Sequence, residues 1–170
     1  LTDKDFEYGF EKTLMGPEKK IKTLREEERK IVTYHELGHA IVSYLLPNCD
    51  PVEKISIVSR GMALGVTWFS AKEDTYLRSK AKFLDDISGL LGGRAAEEVF
   101  FGKENITTGA SNDFEKVTKM AYDMITKYGM NDEIGTLNLA NEDYSAYKLY
   151  SEKTAEKIVS IFRGSGKKEF

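Results

Sequence analysis

VTYHELGHAIVSY, residues Val32 to Tyr44, contains both histidines of the chain, His35 and His39, with Glu36 beside the first. In an α-helix, residues i and i+4 face the same way, with Cβ atoms about 5–6 Å apart. Two imidazole nitrogens so placed can converge on one Zn²⁺ at about 2.0–2.1 Å each. Glu36 is rotated by about 100° from His35 around the helix. It can lie beside the metal without ligating it. There it can take a proton from a zinc-bound water, whose pKa falls to about 7, and pass that proton to a leaving amine. The plainer alternative is a pair of histidines satisfied by hydrogen bonds in an apolar helix. The complete H-E-x-x-H pattern, on a segment that reads as helical, favours the metal.

Helical periodicity extends outward from this stretch, from about Thr23 to Leu46. Acidic residues come early, and Ile31, Tyr34, Gly38, Ile41 and Leu45 fall near one face. Pro47 ends the helix. Before it, LTDKDFEYGFEKTLMG reads as a short helix that starts at a cap-like Thr2 and stops near Gly16, with Pro17 beyond. After it, KISIV (54–58) alternates, Arg60-Gly61 supplies a turn, and ALGVTWF (63–69) resumes in β-forming residues. A second long helix is expected from about Thr75 to Phe100, with Phe83, Ile87, Leu90 and Leu91 at helical spacing. Gly92-Gly93 weakens it unless another helix packs closely there. GKENITTGASN reads as a loop. A third helix follows it, with Phe114, Val117, Ala121, Met124 and Tyr128 as its stripe and Gly129 at the position after the C-cap. A last helix begins near Ser151, and RGSGKKEF reads as a flexible basic end. The fold class is mainly α with a small β-hairpin, a helical domain built around an H-E-x-x-H zinc-peptidase motif.

The composition suits one domain with a sizeable core: 170 residues, 41% hydrophobic and 31% charged. A net charge of −3 with interspersed signs argues against a nucleic-acid surface. With one cysteine, Cys49, no internal disulfide framework or Cys-based zinc site can form. No apolar run reaches the roughly 20 residues of a membrane-spanning helix, so the piece reads as soluble. The first residue is Leu1, which suggests a cut from something longer.

A catalytic zinc needs a third protein ligand and an open fourth position. No histidine remains, and the longer H-E-x-x-H-x-x-G-x-x-H pattern fails because Val42 and Leu45 occupy its later positions. Cys49 sits just past a helix-ending proline, so a carboxylate fits better. Among 28 acidic residues, spacing leaves Asp113, Glu97, Glu98 and Glu53 all open.

HELGHAIVSYLLP, ISIVSRGMALGVTWF, LLGGRAAEEVFFG and ITTGASNDFEKVTKMAYDMITKYGM occur in this order. Together they resemble the peptidase domain of the FtsH-type, membrane-anchored, ATP-dependent zinc metalloproteases, over about residues 1–160. The resemblance implies that Asp113, the aspartate of TTGASND, completes a site with His35 and His39 for one zinc per chain, and that Glu36 is the general base. Asn112 reads as an N-cap with Glu115 three residues on, which puts Asp113 at a helix N-terminus. Glu97 matches an acidic position that would orient a ligating imidazole; its plainer role is a partner for Arg94. The strand at Ala63, Leu64, Gly65, Val66 and Thr67 resembles the family's cleft strand, whose edge would bind an extended polypeptide. Trp68 would line that cleft or pack in the core.

Residues 1–20 resemble the junction from an AAA+ ATPase module, residues 21–163 the peptidase domain, and residues 164–170 a flexible tail. ATP and Mg²⁺ would bind only in that module, since no G-x-x-x-x-G-K-[ST] occurs in this chain. The family usually continues into further C-terminal helices after YSEKTAEKI, where this sequence reads VSIFRGSGKKEF; a trimmed piece or a divergent tail would each explain the difference. The implied whole is a homohexamer that degrades unfolded polypeptides. It would be anchored by segments outside this chain, with the domain on the cytoplasmic side of a bacterial inner membrane or inside an organelle. A non-catalytic assembly module is the alternative class, against which the intact Glu36 argues. A structural zinc site is another, but such sites close four protein ligands around the metal.

Overall fold

A computed structural model describes residues 2–18, 24–59, 64–70, 76–140 and 150–168. Among them are the helices α1 (Asp3–Met15), α2 (Glu26–Leu45), α3 (Lys80–Phe101), α4 (Ser111–Thr126) and α5 (Glu152–Lys168). The strands β1 (Val52–Ser56) and β2 (Val66–Phe69) form one antiparallel pair. The mainly α architecture with a small hairpin is therefore as expected. Ile55 pairs with Thr67 and Ser56 with Val66, with an irregularity between Val52 and Lys54. The Arg60-Gly61 turn, Ala63 and Thr75 lie outside the described residues.

Capping chemistry explains most of the boundaries. Asp5 accepts from both the backbone N–H and the hydroxyl of Thr2, which closes the first turn of α1. Leu46, just before Pro47, is extended and ends α2. Three boundaries differ from the sequence reading. Helix α3 begins at Lys80, because the Ser79 hydroxyl accepts from the Lys82 N–H and caps it there. Helix α4 begins at Ser111, so Asn112 lies inside its first turn and is not the cap. The preceding loop contains two short 3₁₀ turns, Lys103–Asn105 and Thr108–Ala110, and the second runs directly into the helix. Helix α5 continues through residues 164–168, which were expected as flexible tail.

The core is organised by α2 against α3. The pairs His35–Glu97 and His39–Gly89 show that they run antiparallel. They cross at Gly38 and Gly92. A Cβ on Gly92 would lie 2.5 Å from the Gly38 carbonyl oxygen, and a Cβ on Gly38 would meet the Gly92 carbonyl oxygen at still shorter range. This backbone contact is the close packing expected of Gly92-Gly93. Gly38→Ala should therefore destabilise the fold by about 3 kcal/mol, the upper range for overpacking, read as a lowered urea midpoint. An unchanged midpoint would mean that the crossing can open without cost.

The buried face of α2 is not the one that its apolar spacing suggested. His35, Glu36, Gly38, His39, Ala40 and Ser43 point inward, whereas Ile41 is 57% and Leu45 73% exposed. Only Gly38 belongs to both sets. The close crossing turns the polar residues toward α3, where groups on that helix can satisfy them. Tyr34 packs at the far end against Phe100 and Phe101, with ring centroids 4.5 and 5.4 Å away.

The hairpin lies between α1 and α2. On one side Trp68 packs on Phe10, with centroids 5.9 Å apart, and Lys54 Nζ reaches Glu11 at 2.7 Å. On the other side β2 meets α2. Trp68 is thus half-buried packing beneath α1. Helix α4 docks on α3 through Arg94 over the Phe114 ring at 5.0 Å, and Tyr128, just past the end of α4, packs on Phe83 with centroids 5.6 Å apart. Along the α4 stripe Met124 is buried, while Phe114 and Tyr128 stay partly exposed.

Candidate metal centre

Helix α2 brings His35, Glu36 and His39 to one buried place, each only 8% exposed. Helix α3 forms the wall behind them. The His35 Nδ1–H donates to Glu97 Oε1 at 2.7 Å, and the His39 Nδ1–H donates to the Gly89 carbonyl at 2.9 Å. A carboxylate and a carbonyl can only accept, so these partners place the ring protons on Nδ1. Both Nε2 atoms are left facing inward. They are 3.0 Å apart.

The first turn of α4 delivers the third group. Asp113 Oδ2 lies 3.3 Å from His35 Nε2 and 3.4 Å from His39 Nε2. Three acceptor atoms 3.0–3.4 Å apart repel one another unless a cation, proton or metal, lies among them. A tetrahedral zinc with bonds of about 2.0–2.1 Å spaces its donors about 3.3–3.4 Å apart. The triangle therefore fits zinc in donor type, size and count, with one position left open. Among the described residues, His35, His39 and Asp113 are the group that could hold a metal ion. Gly93 makes room for it, since a Cβ there would come within 2.6 Å of Nε2 of both histidines.

Without a metal, protons and carboxylates share this charge. Burial raises Asp113, but hydrogen bonds and charge from His35 and His39 outweigh it and hold Asp113 well below the usual carboxylate range. Burial lowers His35, but Asp113 and Glu97 outweigh it and move the net pKa upward. Glu36 is shifted upward, chiefly by burial, against the opposing hydrogen bond from Thr67.

The structure brings four predicted residues together: His35, Glu36, His39 and Asp113, with Glu97 directly behind. Glu97 is 1% exposed and bridges two elements. Its Oε1 holds His35, and its Oε2 accepts the Thr107 backbone N–H at 2.7 Å. Arg94, the alternative partner for Glu97, instead donates to the Thr107 carbonyl at 2.9 Å. Thr107 is therefore gripped at both its N–H and its C=O, six residues before Asp113. The other open ligand candidates lie elsewhere. Cys49 donates to the Asp85 carbonyl, Glu53 is exposed on β1, and Glu98 is half-buried on α3.

The strand candidates divide. Leu64 is 40% exposed and Val66 half-buried. Gly65 and Thr67 face α2: the Thr67 hydroxyl donates to Glu36 Oε2 at 2.8 Å, and a Cβ on Gly65 would lie 2.8 Å from Glu36 Cγ. Sequence reasoning did not find the Thr67–Glu36 bond, the Gly89 carbonyl or the Thr107 clamp. Backbone acceptors carry no residue signature, and the Thr67 contact spans 31 positions.

The sequence profile of peptidase family M41 matches residues 22–163. The chain is 47% identical over 165 residues to the ATP-dependent zinc metalloprotease FtsH of Cupriavidus metallidurans, covering 94% of this chain and 25% of that protein. It is 54% identical over 136 residues to the ATP-dependent zinc metalloprotease FtsH of Chlorobium luteolum, covering 79% and 19%. With the protein of that name from Thermotoga maritima the identity is 43% over 167 residues, covering 93% and 27%. The chain thus spans about a quarter of the length of the curated relatives it matches.

Proposed function

The chain belongs to peptidase family M41, and from that membership we propose that it is a zinc-dependent endopeptidase domain. The carrying observation is the triangle of His35 Nε2, His39 Nε2 and Asp113 Oδ2 at 3.0–3.4 Å, with each imidazole anchored from behind. Zinc bound there would acidify a water and polarise the scissile carbonyl. Glu36 would accept a proton at its carboxylate from the attacking water and return it to the leaving amine nitrogen. Its upward-shifted pKa suits a group that must both accept and release a proton. Glu97 and the Gly89 carbonyl keep both imidazoles in the tautomer that ligates through Nε2. Asp113 would supply one negative charge to a divalent ion held there, leaving the site net positive.

The proposed setting is the one that the sequence resemblance implies, and the relatives' names support its ATP dependence. Residues 21–163 act as the peptidase domain and residues 1–20 join it to an ATPase module, where ATP and Mg²⁺ bind. The parent assembles as a homohexamer on a bacterial inner membrane or within an organelle, and unfolded polypeptides are its substrates. No described helix is long and apolar enough to cross a membrane. The edge of β2, with Leu64 and Gly65 just before it, would pair with the substrate backbone through main-chain hydrogen bonds, which align a chain with little demand on its sequence.

The test is metal removal. The purified chain should contain about one zinc and hydrolyse casein. Stripping the zinc with a chelator should abolish hydrolysis, and added zinc should restore it. Folded, metal-free protein with undiminished hydrolysis would overturn the assignment.

A further inference from the structure

A general base works only if its oxygen is held within hydrogen-bond reach of the proton it takes. Glutamate has three side-chain torsions, and its terminal one is broad. Burial alone does not choose among the resulting positions. In this protein Thr67 of β2 and Gly65, just before the strand, do so. The Thr67 hydroxyl donates to Glu36 Oε2 at 2.8 Å, and the same hydroxyl lies 3.1 Å from the Glu36 carbonyl oxygen. The Gly65 backbone lies against the other side of the glutamate: a Cβ there would be 2.8 Å from both Cγ and Oε1. Oε2 is tied to Thr67, and Gly65 walls the stem and Oε1, so the carboxylate is held in one position.

Strand alternation puts both residues on the same face. Gly65 and Thr67 point to α2, and Trp68 points to Phe10 of α1 on the opposite face. The Thr67 side chain is thereby committed to the enzyme's own glutamate. Any pairing with a substrate would use the β2 main chain.

We propose that Thr67 is the positioning residue of the base: its hydroxyl, backed by the Gly65 main chain, holds the Glu36 carboxylate so that the strand that aligns the substrate also sets the base. This rests on the peptidase reading above. It assigns Thr67 an effect on turnover, distinct from metal binding and from substrate affinity.

The experiment compares wild type, Thr67→Val, which keeps the shape but loses the donor, and Thr67→Ser, which keeps the donor. Zinc content, kcat and KM on casein, and the affinity of the zinc-loaded protein for acetohydroxamic acid are measured. The hydroxamate reads the base without turnover, because a chelating hydroxamate gives up its proton to a neighbouring carboxylate. For Thr67→Val, kcat should fall about tenfold or more, a fraction of the roughly 10²–10⁴ that a general base contributes. Hydroxamate affinity should fall with it, while zinc content and KM stay within about twofold. Thr67→Ser should recover most of both losses. Should valine unsettle the strand, Thr67→Ala removes the same donor and is held to the same outcome.

Thr67→Val with wild-type kcat and hydroxamate affinity overturns the proposal. So does a variant whose loss is in KM or in zinc content, and so does a serine variant as impaired as the valine one. Wild type that binds hydroxamate in a Thr67-dependent way yet never cleaves casein sinks the peptidase reading and leaves the positioning role standing. Zinc-loaded wild type that binds no hydroxamate removes both.

Discussion

Glu36→Gln is expected to retain about one zinc per chain and to lose casein hydrolysis by about 10²–10⁴-fold, the usual contribution of general acid–base catalysis. The two side chains are nearly isosteric, and the amide oxygen can still accept from Thr67 Oγ1, which lies 2.8 Å from Oε2 in the native site. The carboxamide cannot take a proton from water. His35, His39 and Asp113 are untouched, so metal content separates loss of the base from loss of the site. Equal hydrolysis by the two proteins would remove Glu36 from the role. Loss of zinc in the variant would show that Glu36 helps to hold the metal.

Asp113→Ala carries the second large effect. It deletes the anionic corner of the triangle and leaves two imidazoles whose Nε2 atoms are 3.0 Å apart. Disturbing a group that merely orients a ligand typically costs 10–100-fold in metal affinity. Loss of a ligand should exceed that, so zinc affinity is expected to fall by more than about 100-fold, with hydrolysis falling in parallel. Competition with a chromophoric chelator reads the affinity. Undiminished zinc binding would leave Asp113 as a partner of the helix dipole only.

The same variant has a pH signature. In the metal-free protein Asp113 helps to raise His35, and Asp113 itself is lowered by the two histidines. His35 must shed its proton to ligate. Wild-type zinc affinity should therefore weaken as pH falls through the raised His35 pKa, and in Asp113→Ala that weakening should begin at lower pH. For the metal-free fold the sign is fixed in the same way. The raised His35 contributes stability that is fully present below its unfolded pKa and is lost as pH rises through its folded one.

Local rules carried much of the reading. The i, i+4 histidines, the stop at Pro47, the cap at Thr2 and the positive φ of Gly129 all follow from interactions within one helical turn. The apolar face of α2 was misjudged for an instructive reason. Hydrophobic spacing assumes that a helix buries its oily side, yet here Ile41 and Leu45 face outward and His35, Glu36 and His39 face inward. Their cost of burial is met by Glu97, Gly89 and Thr67, none of which belongs to α2. The start of α3 was misplaced because Ser79 caps a helix that the apolar pattern alone would have begun earlier.

By itself, the sequence determined that this protein has a helix with two imidazoles and a carboxylate at H-E-x-x-H spacing, and the order of four motifs pointed to its family. Those are statements about neighbours in the chain, for which helical geometry is known in advance. The tertiary structure decided which acid stands opposite those imidazoles, which groups anchor them and what holds the base. Asp113 lies 78 positions from His35, Glu97 lies 62, and Thr67 lies 31 from Glu36. Contacts over such separations depend on how α2 and α3 cross at Gly38 and Gly92, and no local periodicity encodes that crossing.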